Sequence, residues 1–261
     1  MSFTERQRFK SNIGEVEYIF PYHYGDLGLE KDGRNIKFIE YLARIEFVKK
    51  IVEKTGAKKV LDAGCGDGRF IYEMKNKGIE LVGVDFSEKA IGFAKAFNPE
   101  AKFIACDLKN LQFKREFDCA VCIETFEHIG SADLQTVLKK LNKSLKDNGV
   151  LVLTVPTLSQ ELPNGHYQHF SEESLIKTFG GEFEVAAIYG LGKSGLLFWV
   201  FTKLRYAGNV FCSFGRIAIG CRHYFRFLGW FYKKFLLESP LHKAKKLVAV
   251  CRKKGSNRAA E

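Results

Sequence analysis

Acid is almost missing from the last quarter of this chain. Residues 191–261 hold only Glu238 and Glu261 against 15 Lys and Arg, a net of +13. Residues 1–190 stand at −2, so the whole basic excess of a chain with net charge +11 is local. Such an asymmetry points to an anionic surface, membrane or nucleic acid. No uncharged apolar run approaches the roughly 20 residues of a spanning helix, so none is expected. Met1–Lys10 is charged and has no apolar centre, so it does not read as a secretory signal. A cytoplasmic chain is the expectation. There is no internal repeat and no low-complexity segment. Among the seven cysteines, only Cys119 and Cys122 have CxxC spacing, and they sit inside an apolar run. They are expected as buried, reduced thiols, not as a redox pair. The GxGxxG and GKS/T loops are absent, so phosphate binding is not implied.

What is present is alternation. Asn35–Thr55 has helical spacing and stops at Gly56. Short apolar strands are expected at 59–63, 81–85, 103–106, 117–123, 149–155 and 183–189. Helices are expected at 68–76, 87–97, 131–145 and 171–179, with Ser87 and Ser171 as caps. Strand and helix alternate from residue 36 to 180, which argues for a parallel sheet with helices on both faces. Ligands of such sheets bind outside the carboxyl ends of the strands. There the first strand runs into Asp62-Ala-Gly64-Cys65-Gly66-Asp-Gly68, where alternate glycines let a ligand lie against the backbone. The second strand ends in Asp85, whose carboxylate can accept both hydroxyls of a ribose. The third is followed by Asp107-Leu108, an acid and an apolar residue able to flank a purine.

VLDAGCGDG, VGVDFS, ACDL and FDCAVCIETFEHI, in that order, resemble the motif series of class I S-adenosylmethionine-dependent methyltransferases. The motifs cover residues 58–156. The resemblance implies an α/β, Rossmann-like sheet of seven mostly parallel strands and S-adenosylmethionine as cofactor. It implies that Asp62, Gly64, Cys65 and Gly66 lie by the methionine part and that Asp85 holds the ribose. Phe86, Asp107 and Leu108 would take the adenine, with Glu124 beyond the fourth strand.

Methyl transfer to a hydroxyl needs alignment and a proton acceptor. Glu124-Thr-Phe-Glu127-His128 and His166-Tyr-Gln-His169 leave the same edge of the sheet, so the candidates are Glu124, His128, His166 and His169. ExxEH with a later His resembles the metal site of ubiquinone-pathway O-methyltransferases and of small-RNA 2′-O-methyltransferases. That resemblance implies Glu124, Glu127, His128 and His166 or His169 around a divalent Mg, Mn, Fe or Zn ion. Alternatively, Glu127 and His128 shape a turn and bind no metal.

The chain divides into an N-terminal lid or strap (1–34, with the aromatic Tyr18–Tyr24), a core (35–190), a basic helical insertion (191–245), and a last strand with a basic tail (246–261). Lys246–Arg252 fits the family's antiparallel last strand, so the insertion leaves the sheet at the site's edge. On a helical wheel of 214–236, Arg216, Arg222, His223, Arg226 and Lys233 fall within about 120°. Ile217, Ala218, Cys221, Tyr224, Phe225, Leu228, Phe231, Tyr232, Phe235 and Leu236 lie opposite. A helix of this kind suits a membrane interface. The stripe packing on the protein's own core, or on a second subunit, is the alternative. The expected function is O-methylation of a lipid or lipid-linked acceptor at an anionic membrane surface on the cytoplasmic face. RNA 2′-O-methylation, or a non-catalytic scaffold that binds the cofactor, are the alternatives; an unbroken apolar face disfavours nucleic acid.

Overall fold

The computed structural model describes residues 22–24, 36–213 and 218–254. Helix α1 (Ile36–Thr55) leads into β1 (Lys59–Ala63), α2 (Arg69–Met74), β2 (Glu80–Asp85), α3 (Glu88–Phe97), β3 (Lys102–Ala105) and β4 (Phe117–Ile123). Then come α4 (Ser131–Ser144), β5 (Leu145–Pro156), α5 (Glu172–Phe179), β6 (Phe183–Leu191), α6 (Leu196–Ser213), α7 (Ala218–Phe231), β7 (Glu238–Ser239) and β8 (Lys246–Lys253). The strands form one sheet in the order β3-β2-β1-β4-β5-β8-β6-β7. β1 to β5 pair in parallel, and β8 runs antiparallel between β5 and β6.

The central strands are buried on both faces, as parallel strands covered by helices must be. Ser87 caps α3 by accepting from the Ala90 amide, and Ser171 with Ser174 forms a reciprocal capping box on α5, as the sequence predicts. One core lies between the sheet and α4–α5, around Leu138, Leu141, Leu175 and Phe179. The other lies under α1–α3, around Val48, Val52, Phe70 and Met74. Cys65, Cys119, Cys122 and Cys251 are buried free thiols, as expected.

Two expectations need correction. The sheet has eight strands, not seven, because Glu238–Ser239 pairs with the end of β6. The helix expected over 214–236 is α-helical from Ala218 to Phe231 and then widens into a π-turn, Tyr232–Leu236; residues 214–217 lie outside the described ones. Part of its apolar stripe packs inward, while Phe235 stays exposed. Leu228, Tyr232 and Leu236, with Phe201 of α6, join the core under α1 beside Leu191 and Val248. Burying such side chains is worth about 1.5–3 kcal/mol each, so these three hold the helix to its own fold. α6 and α7 pack as a hairpin in which Gly208 is required: a Cβ there would stand 2.2 Å from the Tyr224 ring. Among the described residues, no helix is long and apolar enough to cross a membrane.

Candidate active site

Strand order reverses across β1, with β2 on one side and β4 on the other, so the crevice opens beyond the carboxyl ends of β1 and β4. After β1 the chain turns at once. The amides of Gly64 and Cys65 both donate to the Val84 carbonyl, at 2.8 and 3.0 Å. Gly64 has φ +83°, and a Cβ on it would lie 2.4 Å from Thr125 Oγ1. Only glycine therefore lets the loop touch the segment after β4. Thr125 Oγ1 donates back to the Ala63 carbonyl at 3.3 Å. The glycine motif and Glu124-Thr-Phe-Glu-His meet at this contact.

Two carboxyls sit in this corner. Asp85, at the tip of β2, accepts from the amides of Gly66 and Ser87, each at 2.9 Å. Burial pushes it up, against those two N–H groups. Asp62 is pushed up to about 8, by burial first and by Asp85 second. Its Oδ2 is buried with no hydrogen-bond partner among the described residues. An orphaned acid there fits a cationic ligand such as the cofactor's ammonium group. Cys65 is buried beneath the loop, and Phe86 is exposed next to Asp85. Asp107 accepts from the Lys109 amide at 2.9 Å, and the neighbouring Leu108 is buried.

Glu127 is fully buried, and neither of its carboxylate oxygens has a hydrogen-bond partner among the described residues. Burial, then Glu124, drives its carboxyl far up. Ligand atoms of Glu127, His128 and His166 lie within 4.8 Å of one another. His166 falls to about 4, by burial first and then by His128 and His169, so it is neutral at pH 7. His169 stands behind it, with Nε2 2.9 Å from His166 Nδ1 and Nδ1 3.2 Å from the Gln160 carbonyl.

Glu124 goes elsewhere. It leaves β4 at φ +54° and accepts from Thr154 Oγ1 at 2.9 Å. Its other oxygen is ion-paired with Lys246, and Arg44 Nε lies 3.9 Å away. Burial alone would raise this carboxyl; Arg44 and Lys246 overcome burial and hold it low. The structure thus gathers three of the four expected ligands and leaves Glu124 outside the cluster. The Lys246 pair also bears on the insertion, since it ties the first residue of β8 to the edge that carries the site.

Sequence reasoning missed Asp67 and its partner. Asp67 is fully buried, 2.8 Å from His23 Nδ1, and also accepts from the His23 amide at 3.2 Å. Arg69 donates to the His23 carbonyl at 2.7 Å. Tyr24 stacks on Phe97 at 3.9 Å and accepts from Asn98 Nδ2 at 3.0 Å. The turn Tyr22–Tyr24 is therefore a strap on the glycine loop; the rest of the expected lid or strap, 1–21 and 25–34, lies outside the described residues. Only the aromatic run Tyr18–Tyr24 hinted at the strap, because its partner is 44 positions away.

Residues 60–149 match the methyltransferase domain family. A ubiquinone biosynthesis O-methyltransferase of Dechloromonas aromatica is 28% identical over 145 residues, 48% of this chain and 62% of that protein. The mitochondrial ubiquinone biosynthesis O-methyltransferase of Schizosaccharomyces pombe is 30% identical over 175 residues, 61% of each. The chain thus spans less than two thirds of the length of these relatives. The magnesium protoporphyrin IX methyltransferase of Synechocystis with bound SAH aligns over 95% of this chain and 99% of its own. Its TM-score is 0.61 at 17% identity, a likeness of fold alone. Residues 60–149 thus match a methyltransferase domain, and the whole chain shares the fold of a methyltransferase solved with bound SAH.

Proposed function

We propose that the chain transfers the methyl group of S-adenosylmethionine to an oxygen of an acceptor held at a membrane. The acceptor is a lipid-linked sugar, a prenylated quinone precursor or another lipid, met at the anionic cytoplasmic face. The observation that carries this is the buried, unpartnered Glu127 carboxyl beside His128 and His166, one contact away from the glycine loop. Asp62 fits the cofactor's ammonium group, Asp85 its ribose, and Phe86 with Leu108 its adenine. The donor already carries an activated methyl, so the chain has to align the acceptor and accept a proton. His166, neutral at pH 7, offers a lone pair for that. Glu127, His128 and His166 also fit a divalent ion, which would lower the pKa of an acceptor hydroxyl. The named relatives being O-methyltransferases supports oxygen as the accepting atom.

The membrane part rests on the outer face of the α6–α7 hairpin. Trp199 and Trp230 are 56% and 50% exposed, and Leu196, Phe227 and Phe235 are exposed with them. Lys203 lies over the Trp199 ring and Lys234 over Trp230. Aromatic rings topped by cations suit the headgroup boundary of an anionic leaflet.

Two measurements test the proposal. Labelled S-adenosylmethionine given with a lipid extract should put label into organic-soluble product, and Glu127→Ala should remove it. Label appearing in RNA instead would overturn the acceptor class. The chain should also sediment with vesicles of phosphatidylcholine and phosphatidylglycerol, and Trp199→Ser with Trp230→Ser should cut this about tenfold or more. A full chain that stays in the supernatant refutes the membrane part.

A further inference from the structure

A cavity of about 60 Å³ opens beside Glu124, between α1, the segment after β5 and the base of the insertion. Its walls include Glu40 and Arg44 of α1, Gln160, Tyr232 of the π-turn, and Lys245 and Lys246 at the start of β8. A buried water needs roughly 10–15 Å³, so the space suits a small polar group and not a lipid chain.

The charges around the cavity do not cancel. Among the described residues, Arg44, Lys245 and Lys246 face only Glu40 and, behind the wall, Glu124. Lys246 is taken by Glu124. Lys245 lies 3.5 Å from Glu40 and 3.6 Å from the centre of the Phe198 ring. Arg44 is left. Its Nε is buried, 3.9 Å from Glu124, and makes no hydrogen bond among the described residues. A buried N–H without a hydrogen-bond acceptor is costly even when the charge has a distant partner. A guanidinium offers forked donors that match a carboxylate or phosphate.

The cavity is linked to the reacting cluster through a chain of hydrogen bonds. The carbonyl of Gln160, on its wall, bonds His169, which bonds His166. Tyr232, on another wall, belongs to the insertion whose outer face carries Trp199 and Trp230. A molecule in the cavity would meet Tyr232, Arg44 and Gln160, with His169 hydrogen-bonded to the Gln160 carbonyl.

We propose that this cavity binds an anionic group, carboxylate or phosphate, of the methyl acceptor, with Arg44 as its main ligand and Lys245 as its second. The word acceptor rests on the methyl-transfer reading above; the anion site does not.

The test uses the full chain and three probes: benzoate, inorganic phosphate and the neutral benzamide. Calorimetry should detect benzoate or phosphate but not benzamide, and the preferred anion tells a carboxylate from a phosphate source. Arg44→Gln should weaken that anion about tenfold or more, Lys245→Gln less, and Arg44→Lys should restore part of the loss. Affinity for S-adenosylmethionine should stay the same in all three variants. Equal anion affinity in wild type and Arg44→Gln, with circular dichroism unchanged, overturns the proposal, and so does no binding of either anion. Anion binding by a chain that does not bind S-adenosylmethionine would sink methyl transfer and leave the anion site standing.

Discussion

Asp62 should couple cofactor binding to a proton. With its carboxyl near 8, roughly nine molecules in ten carry that proton at pH 7. The cofactor's ammonium group favours the ionised form, so binding must expel the proton. If the bound carboxyl returns towards the ordinary value of about 3.9, binding at pH 7 releases about 0.9 proton. Affinity then rises about ninefold from pH 6 to pH 7 and levels off above pH 8. Titration calorimetry in buffers of different ionisation enthalpy reads both quantities. Asp62→Asn should abolish the slope and the proton release. The same substitution should stabilise the empty chain. A carboxyl whose folded pKa is raised favours the fold below its unfolded value, and that contribution is lost as pH rises from about 4 to about 8. At pH 8 the wild type carries this penalty and Asn does not. Each 1 kcal/mol gained would lift Tm by roughly 2–4 °C. Heats that do not depend on the buffer, or a pH slope that survives in Asp62→Asn, would refute the placement of Asp62 at the ammonium group.

Asp85→Ala should weaken S-adenosylmethionine about 100-fold or more, since two hydrogen bonds to an ionised acceptor are lost; unchanged calorimetric affinity counts against the ribose role. Chelation with EDTA should lower methyl transfer and added divalent ion should restore it, while Glu127→Gln should remove the response; full turnover in EDTA removes the metal from the reading. Leu228→Ala should cost about 2–5 kcal/mol in urea unfolding, in one cooperative transition; a separate early transition would mean that the insertion is not part of the core.

The cofactor edge was legible because its signals are local. β1, the glycines and Asp85 stand within 27 positions, and each strand end announces its loop by composition. The histidine cluster was half legible. Glu127, His128 and His166 are what the ExxEH resemblance implies, and they meet. Glu124 was named on the same pattern, yet it points the other way. Its direction is decided by Arg44 of α1 and Lys246 of β8, which approach from 80 and 122 positions away. No window of sequence contains that contest. Asp67 escaped for the same reason, since what makes it structural is His23.

The insertion shows where periodicity stops being informative. An apolar stripe at helical spacing is required by a lipid interface and by a protein core alike. The wheel of 214–236 therefore identifies a buried face without saying what buries it. Residue type separates the two better than spacing does. Leu228, Tyr232 and Leu236 went inward, to the sheet under α1. The tryptophans stayed out, with lysines over their rings, although neither had a place in the stripe. Indole is apolar in body and polar at its tip, so it gains little from a dry core that offers its N–H no partner. Seven of the 15 basic residues that first drew notice to this segment fall within 196–236, the stretch of a hairpin with two faces. The inner one completes the fold and puts Tyr232 on the wall of the Arg44 cavity; the outer one exposes Trp199 and Trp230.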